Sequence, residues 1–210
     1  MNISNIKAVV FDCDGVLFDT ALANRKFYDE VLAHFDRSAL TDEQFAQVHM
    51  MTVADAVVYL FADITDHAPV FHCLKQIGYH KFIPYMKMEH GLTPLLADLA
   101  SHGYIRAVAT NRTDTMEKVL KDYGLADMFD MVVTAADVQK AKPHPEQLEK
   151  IMARFSLLPD QILFIGDSLY DQQAARAAGT VFAAFKNPGL EADIHALAMQ
   201  DISRVLQINK

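Results

Sequence analysis

Short apolar, β-branched runs alternate with amphipathic stretches along most of this chain. Residues 7–11 (KAVVF) form such a run, and the lack of polar alternation marks a strand buried on both faces. Residues 105–109, 131–134, 162–165 and 181–185 repeat the pattern, which predicts five core strands. Between the later strands the spacing turns helical. Residues 93–102 have Thr93 as a cap, Pro94 at the first helical position and Gly103 just past the end. Residues 114–123 set Met116, Val119, Leu120 and Tyr123 on one face, and Gly124 stops the helix. Residues 146–155 do the same with Leu148, Ile151, Met152 and Phe155, and the alanine-rich stretch 168–178 ends at Gly179.

Strand–helix–strand alternation predicts an α/β fold: a doubly wound, mostly parallel sheet with helices on both faces. One segment breaks the rhythm. Residues 21–35, 42–61 and 69–85 read as helices with no strand between them. The stretch from 12 to 104 is far longer than one crossover helix needs. The expected organisation is therefore a catalytic core of residues 1–20 and 88–210, with a helical cap domain, residues 21–87, inserted directly after the first strand.

Composition narrows the function. Apolar residues make up 51% of the chain and charged residues 22%, as in an ordinary globular enzyme. The formal charge of −8 speaks against nucleic acid or an anionic membrane as partner. Cys13 and Cys73 have no metal-binding or redox spacing, and the histidines make no HExxH pattern. No secretory leader and no bilayer-length apolar stretch is visible, so the cytoplasm is the expected location. The oligomeric state, monomer or homodimer, is not written in the sequence.

The candidate chemistry sits at the carboxyl ends of predicted strands, where open α/β sheets bind ligands. Asp12 and Asp14 follow the first strand, two residues apart. Holding two carboxylates together calls for a cation between them, and Mg²⁺ with its oxygen ligands suits phosphate chemistry. One carboxylate can then attack phosphorus while the other moves a proton. Gly15 lets the backbone come close to an anion. Thr110 and Asn111 offer a hydroxyl and a backbone N–H to phosphoryl oxygens, although Thr-Asn is also an ordinary helix cap. Lys142, followed by Pro143, can neutralise charge in a transition state. Asp167 leaves a strand and Asp171 lies one helical turn on, so both can join a metal's oxygen shell, or serve only as a cap and a surface carboxylate.

Together these residues resemble the haloacid dehalogenase superfamily. Asp12-Cys13-Asp14-Gly15-Val16 is similar to its first motif, and Thr110 to its second. Lys142 with Pro143 and Pro145 is similar to its third, and Gly166-Asp167-Ser168 with Asp171 to its fourth. The likeness is to the branch with a helical cap, which includes phosphoglycolate phosphatases and β-phosphoglucomutases. It implies a Rossmann-like core and Mg²⁺-dependent hydrolysis of a small-molecule phosphate ester through an aspartyl-phosphate on Asp12. By the same resemblance Asp14 is the acid/base. Mg²⁺ is held by Asp12, the Asp14 carbonyl and Asp167, aided by Asp171. The phosphoryl group is held by Thr110, Asn111 and Lys142.

Three departures from the family pattern are Ala141 before the motif lysine, Glu89-His90-Gly91 at the return from the cap, and His49-Met50-Met51 within it. Asp14 argues against dehalogenation, whose leaving group needs no proton. A sugar phosphomutase shares all four motifs and stays open as an alternative, as does a non-catalytic binding protein on the same fold. A phosphonatase would need a cap lysine, for which Lys26 is the nearest candidate. Arg25 and His49, then Lys81 and Lys87, are the basic cap residues that can meet a substrate's own anionic group, and phosphoglycolate is the model for such a substrate. Phe45, Met50 and Met51 are expected in the cap core.

Overall fold

A computed structural model describes residues 3–49 and 51–208. The chain forms two compact units: one runs up to Asp19 and resumes at Met88, and the other is Thr20–Lys87.

The first unit is built on a six-stranded sheet. Its strands are β1 (Ala8–Phe11), β2 (Ile105–Ala109), β3 (Met131–Val133), β4 (Ile162–Gly166), β5 (Val181–Phe185) and β6 (Ile194–Ala196). They are ordered β3-β2-β1-β4-β5-β6, and every neighbouring pair is parallel. Every residue of β1, β4 and β5 is buried, as unbroken apolar runs require when helices cover both faces. Val10, Ala107, Phe164 and Phe182 lie in the apolar core with Leu148 and Ile151 from helix Glu146–Phe155 and Ala174 and Ala175 from helix Leu169–Ala178.

The expected count of five strands is corrected to six. The extra strand, β6, is three residues long and exposes its middle residue, His195, so it leaves no readable apolar run. The helix expected over 93–102 runs Leu92–Ser101. Gly91, at φ 83°, is its N-cap, and Thr93 lies inside the helix instead of capping it. The helix expected over 114–123 shortens to Met116–Asp122. The residues before it stay in a loop tied by side chains, such as the 3.1 Å bond from Arg112 Nη1 to the Thr115 hydroxyl.

The second unit holds helices Ala21–His34, Asp42–Val48, Val53–Leu60 and Ala68–Ile77, then two 3-10 turns, Tyr79–Lys81 and Ile83–Tyr85. The single helix expected over 42–61 is broken because Thr52 caps a new one: its hydroxyl accepts from Asp55 N at 3.1 Å. The helix expected over 69–85 ends at Gly78, whose φ of 70° lies in the left-handed region. Phe27 meets the rings of Tyr79 and Phe82 edge-on at 5.2 and 5.4 Å. Phe45 and Met51 are half-buried, while Met50 lies outside the described residues. Among the described residues, no helix is long and apolar enough to cross a membrane.

Candidate active site

In-register parallel pairing brings three strand tips to one level. Phe11 stands beside Val108 of β2 and Ile165 of β4. Asp12, Thr110 and Asp167 follow within one or two residues of that line. This is also the switch point of the sheet, because the chain order runs outward in opposite directions on either side of β1 and β4.

After β1 the chain turns sharply. The N–H groups of Leu17 and Phe18 both donate to the Cys13 carbonyl, and Gly15 N–H donates to the Phe18 carbonyl at 2.8 Å. Gly15 adopts φ +78°, and a Cβ there would lie 2.0 Å from Asp167 Oδ2. The Asp167 carboxyl group thus packs directly against this glycine. Position 166 is glycine for a related reason: a Cβ would lie 2.3 Å from Asp171 Cβ. Ser168 caps the next helix, and its hydroxyl and N–H both donate to Asp171 Oδ2, at 2.5 and 3.0 Å. Asp171 is therefore both a helix-capping residue and a buried member of the site.

Lys142 Nζ donates to Asp12 Oδ1 and Asp171 Oδ1, each at 2.6 Å, and all three side chains are buried. The backbone around Lys142, whose peptide to Pro143 is cis, is bolted to the β2 tip. Asn111 Nδ2 donates to the Lys142 carbonyl at 2.9 Å. Gln147, fully buried, donates to the Thr110 carbonyl at 2.7 Å and accepts from Lys142 N–H at 3.3 Å. On the other side, Asn187 Nδ2 donates to the Asp167 carbonyl at 2.8 Å.

Carboxylate oxygens of Asp12, Asp167 and Asp171 lie within 4.8 Å of one another. Burial, reinforced by the charges of Asp171 and Asp14, pushes the Asp12 carboxyl up to about 7, although Lys142 opposes the shift. Burial and the charges of Asp12 and Asp171 push Asp167 up to about 8. Burial works against the Lys142 ammonium, but Asp12 and Asp171 outweigh it and hold its pKa above the ordinary value. Burial and the neighbouring Asp14 push the Cys13 thiol well up, so it is no source of thiolate beside Asp12.

With all three carboxylates ionised, as a bound cation requires, one lysine leaves two of their negative charges unbalanced. Hard oxygen donors with that excess fit a divalent cation such as Mg²⁺. The Asp14 side chain is not in this cluster. Both its oxygens accept from Arg112, at 2.6 Å from Nη2 and 2.8 Å from Nε, which leaves its backbone carbonyl as the group the family resemblance implies for the metal.

The haloacid dehalogenase-like hydrolase model matches residues 9–185. The chain belongs to the haloacid dehalogenase-like hydrolases. A phosphoglycolate phosphatase of Yersinia pseudotuberculosis is 30% identical over 182 residues, 83% of this chain and 78% of that protein. The pyrophosphatase PpaX of Bacillus pumilus is 26% identical over 86% of this chain and 83% of its own length. A solved haloacid dehalogenase-superfamily hydrolase of subfamily IA from Geobacter sulfurreducens is 35% identical. It superposes with a TM-score of 0.83 over 96% of this chain and 97% of its own.

In this hydrolase the sequence-predicted residues Asp12, Lys142, Asp167 and Asp171 are brought together. Thr110 and Asn111 are tied to the same loops, and Gly15 abuts Asp167. Arg112, Gln147 and Asn187 went unread in the sequence. Their partners lie 98, 37 and 20 residues away, and nothing local to any of them marks the pairing.

The helical unit gives several of its basic residues partners within the unit. Arg25 pairs with Asp42 at 2.6 Å and lies over the Phe45 ring. Lys81 pairs with Glu30 at 3.4 Å, and Lys26 lies over the Tyr85 ring at 4.7 Å. His49 stacks on Phe45, with Nδ1 3.2 Å from Asn24 Nδ2, while Asn24 Oδ1 accepts from the Tyr79 hydroxyl at 2.5 Å.

Proposed function

We propose that this hydrolase is a Mg²⁺-dependent phosphatase that cleaves small phosphomonoesters through an aspartyl-phosphate on Asp12. The observation that carries the proposal is the group of three carboxyls at the switch point, Asp12 and Asp171 buried and bridged by Lys142 and Asp167 half-buried beside them, which carries an excess of negative charge once ionised. Phosphoryl transfer depends on positioning and on neutralising spread negative charge, and this donor set is suited to both.

In the first half-reaction the Lys142 ammonium, the Thr110 hydroxyl and the Asn111 backbone N–H hold the phosphoryl oxygens. An Asp12 oxygen attacks phosphorus, the P–O bond to the alcohol breaks, and Asp14 protonates the departing alkoxide. In the second half-reaction Asp14 takes a proton from water, the water oxygen attacks phosphorus, and the bond to Asp12 breaks to release phosphate. Asp12, Asp167, Asp171 and the Asp14 carbonyl would hold Mg²⁺, whose charge offsets that of the phosphate dianion.

Small phosphorylated acids of the phosphoglycolate type lead the substrate panel, on the strength of the relative named for that activity. The test is a screen of phosphomonoesters with Mg²⁺ or EDTA. At least one ester should turn over with Mg²⁺ and none with EDTA. Asp12→Asn should abolish turnover while the thermal melt stays cooperative. Wild-type enzyme quenched in acid should carry hydroxylamine-labile phosphate. An untouched panel, or an active Asp12→Asn enzyme, would defeat the reading.

A further inference from the structure

We infer that Arg112 is a positioning residue that fixes the Asp14 carboxylate for proton transfer to the leaving alcohol. The inference rests on the phosphatase reading above and adds a residue to it.

The argument begins with how Asp14 is held. Its backbone is set by the tight turn after β1, and its side chain is 37% exposed. The orientation comes from Arg112, which binds both carboxylate oxygens through Nε and Nη2 at 2.8 and 2.6 Å. A planar guanidinium that grips both oxygens sets the plane of the carboxylate as well as its distance, which a single lysine contact does not do.

Arg112 is itself fixed. Its side chain is 8% exposed, its Nη1 donates to the Thr115 hydroxyl at 3.1 Å, and its backbone N–H donates to the Thr110 hydroxyl at 3.2 Å. A chain of contacts thus runs from Thr110 at the β2 tip, through Arg112, to Asp14 at the β1 tip. A group that must protonate one oxygen and then deprotonate another has to be held to a fraction of an ångström. Arg112 supplies that constraint through both carboxylate oxygens.

A leaving-group comparison tests the assignment. An alkyl phosphate needs the proton from Asp14, whereas nitrophenolate departs without it, and kcat/KM reports only the steps up to alcohol release. Arg112→Ala should lower kcat/KM for an alkyl phosphate by ~10–100-fold, part of the ~10²–10⁴ that general acid catalysis supplies. The loss for p-nitrophenyl phosphate should be at least several-fold smaller. Arg112→Lys, which keeps the charge but not the fork, should recover part of the alkyl-ester rate. Arg112→Gln covers the case in which alanine loosens the loop.

Equal losses for both esters would reduce Arg112 to a structural role and overturn the inference. So would faster alkyl-ester cleavage, which would make Arg112 a restraint, or a change confined to KM for esters bearing their own carboxylate, which would make it a substrate contact. Failure of the underlying reading looks different: wild-type enzyme would then leave both esters intact.

Discussion

Binding of Mg²⁺ to this protein should expel protons, and the structure sets how many. Asp12 and Asp167 are pushed up to about 7 and about 8, because both are buried among other carboxylates. At neutral pH about half of the Asp12 carboxyls and about nine-tenths of the Asp167 carboxyls then carry a proton. A divalent ion needs both ionised, so binding at neutral pH should release about 1.4 protons per site. From about pH 6 to about pH 8 the affinity should climb about tenfold through Asp12 and about fiftyfold through Asp167, or about 500-fold together. Calorimetric titration with Mg²⁺ in two buffers of different ionisation enthalpy gives the proton count directly. Asp167→Asn should remove the larger share of it. A heat of binding independent of the buffer, or an affinity flat across that pH range, would refute the assignment of these protonated carboxyls to the metal site.

The same shifts bear on stability. Between the ordinary carboxylate range and about pH 7–8, the folded metal-free protein holds protons that the unfolded chain gives up. Its melting temperature in EDTA should therefore fall as pH rises through that window, and saturating Mg²⁺ should reverse the fall. Gln147→Leu strips partners from the Thr110 carbonyl and the Lys142 N–H inside the core; it should cost roughly 2–6 kcal/mol in a urea melt, at about 1–3 kcal/mol per buried orphan. Gly15→Ala must push Asp167 aside, since the added methyl would fall 2.0 Å from its Oδ2, and it should weaken Mg²⁺ binding by roughly 10–100-fold in the same calorimetric titration.

Features carried by neighbouring residues were legible in the sequence. Unbroken apolar runs marked strands β1 to β5, and Asp12, Thr110 and Asp167 each lie within a few residues of their strands, whereas Lys142 lies well past the end of β3 at Val133. What escaped was of two kinds. Some signals were too short, such as β6, or were present and passed over, such as the Thr52–Asp55 cap that divides residues 42–61 into two helices. Others depend on the folded geometry. Arg112 reads as one more surface cation until the β1 and β2 tips stand side by side, and Gln147 as a polar helix residue until the Thr110 and Lys142 loops meet over it. Arg25 is a further case: its pairing with Asp42 and its place over the Phe45 ring also come only from the folded helical unit.

The place where the helical segment departs has an evolutionary consequence. Glu89 N–H donates to the Leu17 carbonyl at 2.9 Å, so the chain re-enters the sheet domain beside the point where it left. A loop whose two feet stand side by side can be lengthened, trimmed or exchanged whole without dragging the flanking strands apart. The helical segment is in effect a cassette. Its length and sequence are free to change, while the charged groups at the strand ends keep the same spacing whatever is spliced in between Leu17 and Glu89.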